Sequence, residues 1–320
     1  MKAVILAGGH ATRLWPITKN RAKPLLPLGE QPIIDYMIEE IDDEVDEVII
    51  STNQKFAADF EDYIEEYDRN ARVVVESQGS EEEKPGTIGA IIKLLDKEEL
   101  EDDLLIVGGD NYFGFSFHDL LDFCRDKDAP VNVVYDVNDL EMAQQFGIVD
   151  AVNERITGFE EKPEEPPSTL ASTACYFFPK EHVSLFHEYD EYFQKTDVPA
   201  ETYLDEPGRL IEWAHKKTDM YAFDFEGEWH DVGTARGYLE AQNAVLNESL
   251  IKGKTENCEI GENVFVMEGA ELEDVKIENA IIFPHATVKD SDLRNSIIDS
   301  KAKIENMELN DALIGAHSNL

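Results

Sequence analysis

The sequence predicts an α/β domain with a mixed, mostly parallel central sheet, followed by a short parallel β-helix. Two patterns carry that expectation. Up to residue 247, short β-branched runs alternate with amphipathic helical stretches, as in sheets covered by helices on both faces. From about residue 256 to 320, aliphatic residues recur every five or six positions, a period that no α-helix has. The expected domains are therefore 1–247 and 256–320.

Residues 2–7 (Lys-Ala-Val-Ile-Leu-Ala) read as a buried strand ending in Gly8-Gly9. Further strands are expected at 45–51, 72–75, 103–107 and 131–135, with helices at 33–41, 56–67, 88–95 and 117–124. In such sheets ligands sit beyond the carboxyl ends of the strands, where Gly8-Gly9 and Gly108-Gly109-Asp110 emerge. From 136 to 225 the pattern is mixed, with short strands at 148–152, 156–160 and 174–178, and a helix at 234–246 closes the domain. In the tail the recurring aliphatics are Val266, Leu272, Ile277, Ile282, Val288, Leu293, Ile298, Ile304, Leu309, Ile314 and Leu320. Two positions before most of them stands a small residue, such as Ala270, Ala280, Ala286, Ser296 or Ala302. One aliphatic per flat face and one small residue per corner describe about four three-faced coils. The doublets Phe265-Val266, Ile281-Ile282, Ile297-Ile298 and Leu313-Ile314 mark a 16-residue repeat.

No stretch approaches the ~18–20 apolar residues of a membrane span, and the N-terminus lacks the pattern of a signal peptide. Cys124, Cys175 and Cys258 have no metal-ligand spacing and read as small buried hydrophobes in a reducing compartment. A cytoplasmic protein is expected. Acids outnumber Lys and Arg by 69 to 28, a net charge of -41 that repels nucleic acid and anionic membranes. Salt screens such self-repulsion, which motivates the hypothesis of a salt-rich, halophilic cytosol. Stability should then rise with potassium chloride in a thermal-unfolding series, and full stability near zero salt contradicts the idea.

The first acid is Glu30. A stretch of 29 residues that should hold about six acids holds instead Lys2, Arg13, Lys19, Arg21 and Lys23. An acidic chain that clears carboxylates from one loop is suited to bind an anion there.

That loop reads Leu6-Ala7-Gly8-Gly9-His10-Ala11-Thr12-Arg13-Leu14-Trp15-Pro16-Ile17-Thr18-Lys19-Asn20-Arg21-Ala22-Lys23-Pro24. Glycines let backbone amides approach phosphate oxygens, Arg13 offers a forked clamp and Lys23 a point charge. It is neither a Walker loop nor the spaced-glycine dinucleotide fingerprint. The run resembles the signature of the sugar-1-phosphate nucleotidylyltransferases, glucose-1-phosphate thymidylyltransferases in particular. His10-Ala11-Thr12 stands where x-Gly-Thr is commoner. Four more segments follow in the order the resemblance requires: Pro85-Gly86-Thr87-Ile88-Gly89-Ala90, Gly108-Gly109-Asp110-Asn111, Glu160-Glu161-Lys162-Pro163 and Trp229-His230-Asp231-Val232-Gly233-Thr234. Taken singly, each is a common helix start, turn or strand pair. The tail in turn resembles the hexapeptide-repeat left-handed β-helix.

The resemblance implies a Rossmann-like nucleotidyltransferase domain that joins a nucleoside triphosphate to a sugar 1-phosphate, with Mg2+ as cofactor. By the same resemblance Asp110 and Asp231 hold the metal, and Arg13, Lys23 and Lys162 neutralise the phosphates. Leu6, Ala7, Gly8, Gly9, Thr12, Gly86, Thr87 and Gly109 line the nucleotide. Gly147, Glu161, Thr173 and Tyr176 join Lys162 around the sugar phosphate. Glucose 1-phosphate with dTTP or UTP is the expected pair, and a mannose-1-phosphate guanylyltransferase is the alternative. The glutamine with which some thymidylyltransferases read the base is absent at Ile88-Gly89, while Gln78 lies nearby. Two readings of other classes are a non-catalytic sensor or assembly subunit, and an acyltransferase using His285 or His317 of the β-helix. A homo-oligomer formed through the β-helix is also expected.

Overall fold

The computed structural model describes residues 1–76 and 86–320. The chain forms two compact units that interleave in sequence. Met1–Gly8, Met37–Gly109 and Gly114–Gly227 make the first; Gly9–Tyr36, Asp110–Phe113 and Glu228–Leu320 make the second.

Among the described residues, the first unit is built on a nine-stranded sheet. Its order is Ala71–Val75, Glu47–Thr52, Lys2–Leu6, Leu104–Gly108, Leu170–Phe178, Val131–Asp136, Tyr221–Asp224, Arg155–Glu161, Gly147–Val152. Ala3, Val4, Ile5, Ile49, Ile50 and Leu104 to Val107 are at most 1% exposed, so these strands read as unbroken apolar runs. The sheet is mixed and mostly parallel, as expected: among the described strands seven run one way, and Leu170–Phe178 and Arg155–Glu161 run against them. The first four strands run parallel, whereas Leu170–Phe178 is antiparallel to both neighbours. Gly147–Val152 and Arg155–Glu161 form an antiparallel hairpin turned by Asn153 and Glu154, both at positive φ. A two-residue turn of that kind reverses the chain where a helical crossover would have kept it parallel. Helices Thr87–Glu98, Leu185–Phe193 and Pro207–Ala214 contribute to the unit's apolar core through Ile88, Ile91, Leu94, Phe186, Tyr189, Leu210 and Ile211.

The second unit contains the predicted coil. Its strands pair in parallel at intervals of sixteen: Val264 with Ala280, Ala280 with Ser296, and Ile297 with Leu313. Val266, Leu272, Ile277, Ile282, Val288, Leu293, Ile298 and Ile304 are at most 2% exposed inside it, whereas Ile260 and Leu320 are open at the ends. The doublets have a second explanation. While Val266, Ile282 and Ile298 fill the coil, Phe265, Ile281 and Ile297 point outward and are buried under Tyr238 and Leu239 of helix Ala235–Val245 and under Leu14, Ile17, Leu26 and Leu28. One face of the coil is thus covered by the segment that carries the glycine-rich loop. The corners hold another regularity: the residue before each small one lies at positive φ, as Asn263, Asn279 and Asn295 do. Asparagine tolerates that conformation better than most residues. Its side chains also hydrogen-bond up the stack, Asn279 Nδ2 donating to Asn295 Oδ1 at 2.8 Å. Cys124 and Cys175 are buried as expected, but Cys258 is only half-buried.

Candidate active site

In the second unit the residues after Gly8-Gly9 wind through three short helical turns, Thr12–Leu14, Ile17–Asn20 and Lys23–Leu25. Buried Leu14, Ile17 and Leu26 pin the turns from below, and the Thr18 hydroxyl donates to the Ala11 carbonyl at 2.8 Å. Ala11 itself sits at φ 48°, ψ 45°. That conformation costs a residue with a Cβ ~1–2 kcal/mol, which explains why glycine is commoner there. The basic residues divide. Arg21 lies 4.7 Å over the Phe283 ring and 3.4 Å from Asp299, tying the loop to the coil. Lys23 makes an ion pair with Asp110.

Strand Asn111–Phe113 pairs antiparallel with Trp229–Asp231, setting Asn111 opposite Asp231. The Val232 amide donates to the Asp110 carbonyl at 3.0 Å, so the two aspartates enter one small region. Trp229 Nε1 donates to Asn111 Oδ1 at 2.9 Å, and Asn111 Nδ2 donates to Asp110 Oδ1 at 3.0 Å. That relay fixes the Asp110 carboxylate. Gly233 leaves room beside Asp231, where a Cβ would come within 3.1 Å of Oδ2. Thr234 caps helix Ala235–Val245 by accepting from the Gly237 amide at 3.0 Å. Each described position of the Trp-x-Asp-x-Gly-Thr segment thus has a physical task.

Asp231 is open to solvent, yet the protein around it desolvates its carboxyl and pushes its pKa up; the Asp110 charge adds to this, and Lys23 and Arg13 oppose it. Two carboxylates that repel one another beside two cations suit a divalent ion shared with a polyanion. Among the described residues no group of three or more His, Cys, Asp or Glu is gathered for a metal. Mg2+ takes one or two carboxylates together with substrate phosphates and water, so Asp110 and Asp231 are the residues that would hold it.

The remaining site residues belong to the first unit. Leu6 and Gly108 are register partners, and the Gly109 amide donates to the Leu6 carbonyl at 3.0 Å, so both glycine-rich strand ends emerge together. Ala7 is held to Ser51. Gly86, at φ 72°, precedes helix Thr87–Glu98, and a Cβ there would come within 2.5 Å of the Leu204 carbonyl. Pro85 and Gln78 lie outside the described residues.

Gly147 is the register partner of Glu161, and a Cβ on it would come within 2.4 Å of the Phe159 ring. Gly208 abuts the same pair, 2.3 Å from Glu161 Oε2 by the same measure. Sequence reading missed Gly208, whose one signal was a glycine next to the Pro207 helix start. Lys162 is well exposed, with Nζ 3.6 Å from Glu161 Oε1. Thr173 is fully buried and its hydroxyl donates to the Val133 carbonyl at 2.9 Å, while Tyr176 is 8% exposed in the core.

Burial pushes the Glu161 carboxyl pKa above its ordinary 4.5, with the Lys162 charge opposing and Glu206 adding. The folded state therefore holds this proton longer than the unfolded chain, and the stability from Glu161 falls as pH rises from 4.5 through the folded value. Glu161→Gln should gain on the wild type in melting temperature between about pH 4 and pH 7. A difference that stays constant over that window contradicts the burial argument.

Residues 2–248 match the nucleotidyl transferase family. The chain belongs to that family. Among its relatives in this nucleotidyl transferase family, the bifunctional protein GlmU of Methanocaldococcus jannaschii is 30% identical over 274 residues, covering 84% of this chain. The match spans only 61% of that protein's length. A protein of Sulfolobus acidocaldarius, provisionally named a mannose-1-phosphate guanyltransferase, is 26% identical over 85% of this chain and 69% of its own. Among solved structures, a provisionally assigned glucose-1-phosphate thymidylyltransferase of Bacillus anthracis, crystallised with sucrose, superposes with a TM-score of 0.63. It is 25% identical and covers 78% of this chain and 98% of its own. Among the described residues, no helix of this nucleotidyl transferase is long and apolar enough to cross a membrane.

Proposed function

We propose that this protein transfers a nucleoside monophosphate from a nucleoside triphosphate to a sugar 1-phosphate, releasing pyrophosphate. The observation that carries the proposal is the meeting of Asp110 and Asp231, through paired strands, beside Lys23 and Arg13. In the reaction a sugar-phosphate oxygen attacks the α-phosphorus, and the bond from that phosphorus to the bridging oxygen breaks. Two anions must approach each other, so catalysis consists mainly of positioning and charge neutralisation. Arg13 holds the leaving pyrophosphate in a forked clamp, and Lys23 exchanges its contact with Asp110 for the charge that builds on the reacting phosphate. Lys162 holds the attacking phosphate, and Glu161 accepts from sugar hydroxyls in the space left by Gly147 and Gly208. Asp110 and Asp231 would hold Mg2+, which would supply positive charge to neutralise the reacting phosphates.

Glucose 1-phosphate is the sugar suggested by the thymidylyltransferase resemblance, and a left-handed turn of the coil is what its resemblance to the hexapeptide-repeat β-helix implies. Pyrophosphate release measured for four nucleoside triphosphates against several sugar 1-phosphates tests the proposal. Release that requires both substrates supports it. Release from the triphosphate alone, or none with any pair, refutes it.

A further inference from the structure

A cavity of about 380 Å³ opens in the first unit, lined by Ser51, Gln54, Glu76, Ala90 and Lys93 among others, a volume in the range of small-molecule sites. Glu76 follows strand Ala71–Val75, and its amide is fixed to the Thr52 carbonyl at 2.7 Å. Its side chain reaches across the ends of the neighbouring strands: a Cβ on Gly8 would come within 2.3 Å of Glu76 Oε1. Glycine at residue 8 therefore leaves the carboxylate in place and its own backbone bare beside it. The Ser51 hydroxyl donates to Oε1 at 3.1 Å. Burial pushes the Glu76 pKa up, opposed first by the Ser51 contact and then by Lys93. Holding the carboxylate here is therefore costly without further donors, and among the described residues Ser51 is its one hydrogen-bond partner. This group has no part in the phosphate chemistry assigned above.

We propose that the Glu76 carboxylate reads the base of the triphosphate and selects guanine. The inference rests on the nucleotidyl-transfer reading, and it replaces the dTTP or UTP expected from resemblance. A carboxylate offers two neighbouring acceptors and no donor. Guanine presents two neighbouring donors on one edge, N1–H and the N2 amino group, and both can bond the two oxygens at once. Uracil and thymine present a single N3–H flanked by carbonyl oxygens, so the second carboxylate oxygen would face an acceptor. Adenine and cytosine place an unprotonated ring nitrogen beside their amino group, with the same conflict. The guanine edge continues with O6, an acceptor, for which Gln54, another residue lining the cavity, carries an amide donor. A site built on buried hydrogen-bonding groups rejects a mismatched edge by about 10²-fold or more.

Equilibrium binding of GTP and UTP to the whole protein, alongside turnover with each, is the test. The wild type should bind GTP at least about 10²-fold more tightly than UTP. Glu76→Gln, whose amide offers one acceptor and one donor, should narrow that ratio by at least tenfold while its circular-dichroism spectrum stays unchanged. A wild type that binds UTP, dTTP or ATP as well as GTP overturns the proposal, whether or not the variant folds. So does an unchanged ratio in a folded Glu76→Gln protein. GTP selected in binding with no pyrophosphate released from any pair would refute the transfer reaction and leave base selection standing.

Discussion

Asp110→Asn is expected to lower kcat by about 10²- to 10³-fold, or ~2.7–4 kcal/mol of transition-state stabilisation, with little effect on folding. The fold should survive because Asn111 Nδ2, which donates to Asp110 Oδ1 at 3.0 Å, can donate equally to an amide oxygen. The Val232-to-Asp110 backbone bond is untouched as well. What the variant loses is one of the two charges that make the region attractive to a cation, and the ionic partner that holds Lys23. The loss should fall on kcat more than on the KM for the sugar phosphate, whose proposed residues, Glu161 and Lys162, belong to the first unit. Steady-state kinetics over a magnesium series checks this. A kcat within threefold of the wild type at saturating magnesium would remove Asp110 from the machinery.

Phe283→Ala is expected to cost about 3–5 kcal/mol of stability, the range for deleting a buried aromatic side chain. Phe283 is 2% exposed and shares a core with Leu14, Ile17, Phe265, Ile281 and Ile297, and Arg21 caps its ring. A small residue there would open a cavity under the loop and release the Arg21 guanidinium, a contact worth a further ~0.5–1 kcal/mol. Because that loop carries Arg13 and Lys23, kcat should fall even in the fraction that remains folded. Urea unfolding at fixed potassium chloride measures the first effect. A loss below ~1 kcal/mol would mean that the coil does not support the loop.

Much of this was legible in the sequence for identifiable physical reasons. Strands buried on both faces show as apolar runs, so Lys2–Leu6, Glu47–Thr52 and Leu104–Gly108 were found nearly to the residue. That the sheet is mixed was legible, but which strands run against the rest was not. Leu170–Phe178 enters the sheet between Leu104–Gly108 and Val131–Asp136 after the short connection 162–169, and no local pattern encodes its direction. The coil showed itself because each flat face takes one aliphatic residue. Its corner rule is equally present in the sequence, in the Asn or Asp before Val264, Val275, Ala280 and Ser296.

At the site, the spacing of motifs named the residues, whereas the support under them depended on tertiary packing. Phe265 and Ile281 look like an ordinary repeat until Leu14 and Tyr238 are seen to cover them. Trp229 and Asn111 are 118 residues apart, and only strand pairing turns them into the relay that orients Asp110. Thr173, assigned to the sugar by resemblance, donates its hydroxyl to the Val133 carbonyl inside the sheet, a contact that no local pattern shows.

The most direct test of the central claim follows a label. A nucleoside triphosphate labelled at its α-phosphate is incubated with sugar 1-phosphate, and label and pyrophosphate are counted together. The account predicts label in the nucleotide sugar with one pyrophosphate for each, stopped by EDTA and restored by excess Mg2+. Label released as free nucleoside monophosphate, or transfer that continues undiminished in EDTA, would contradict it.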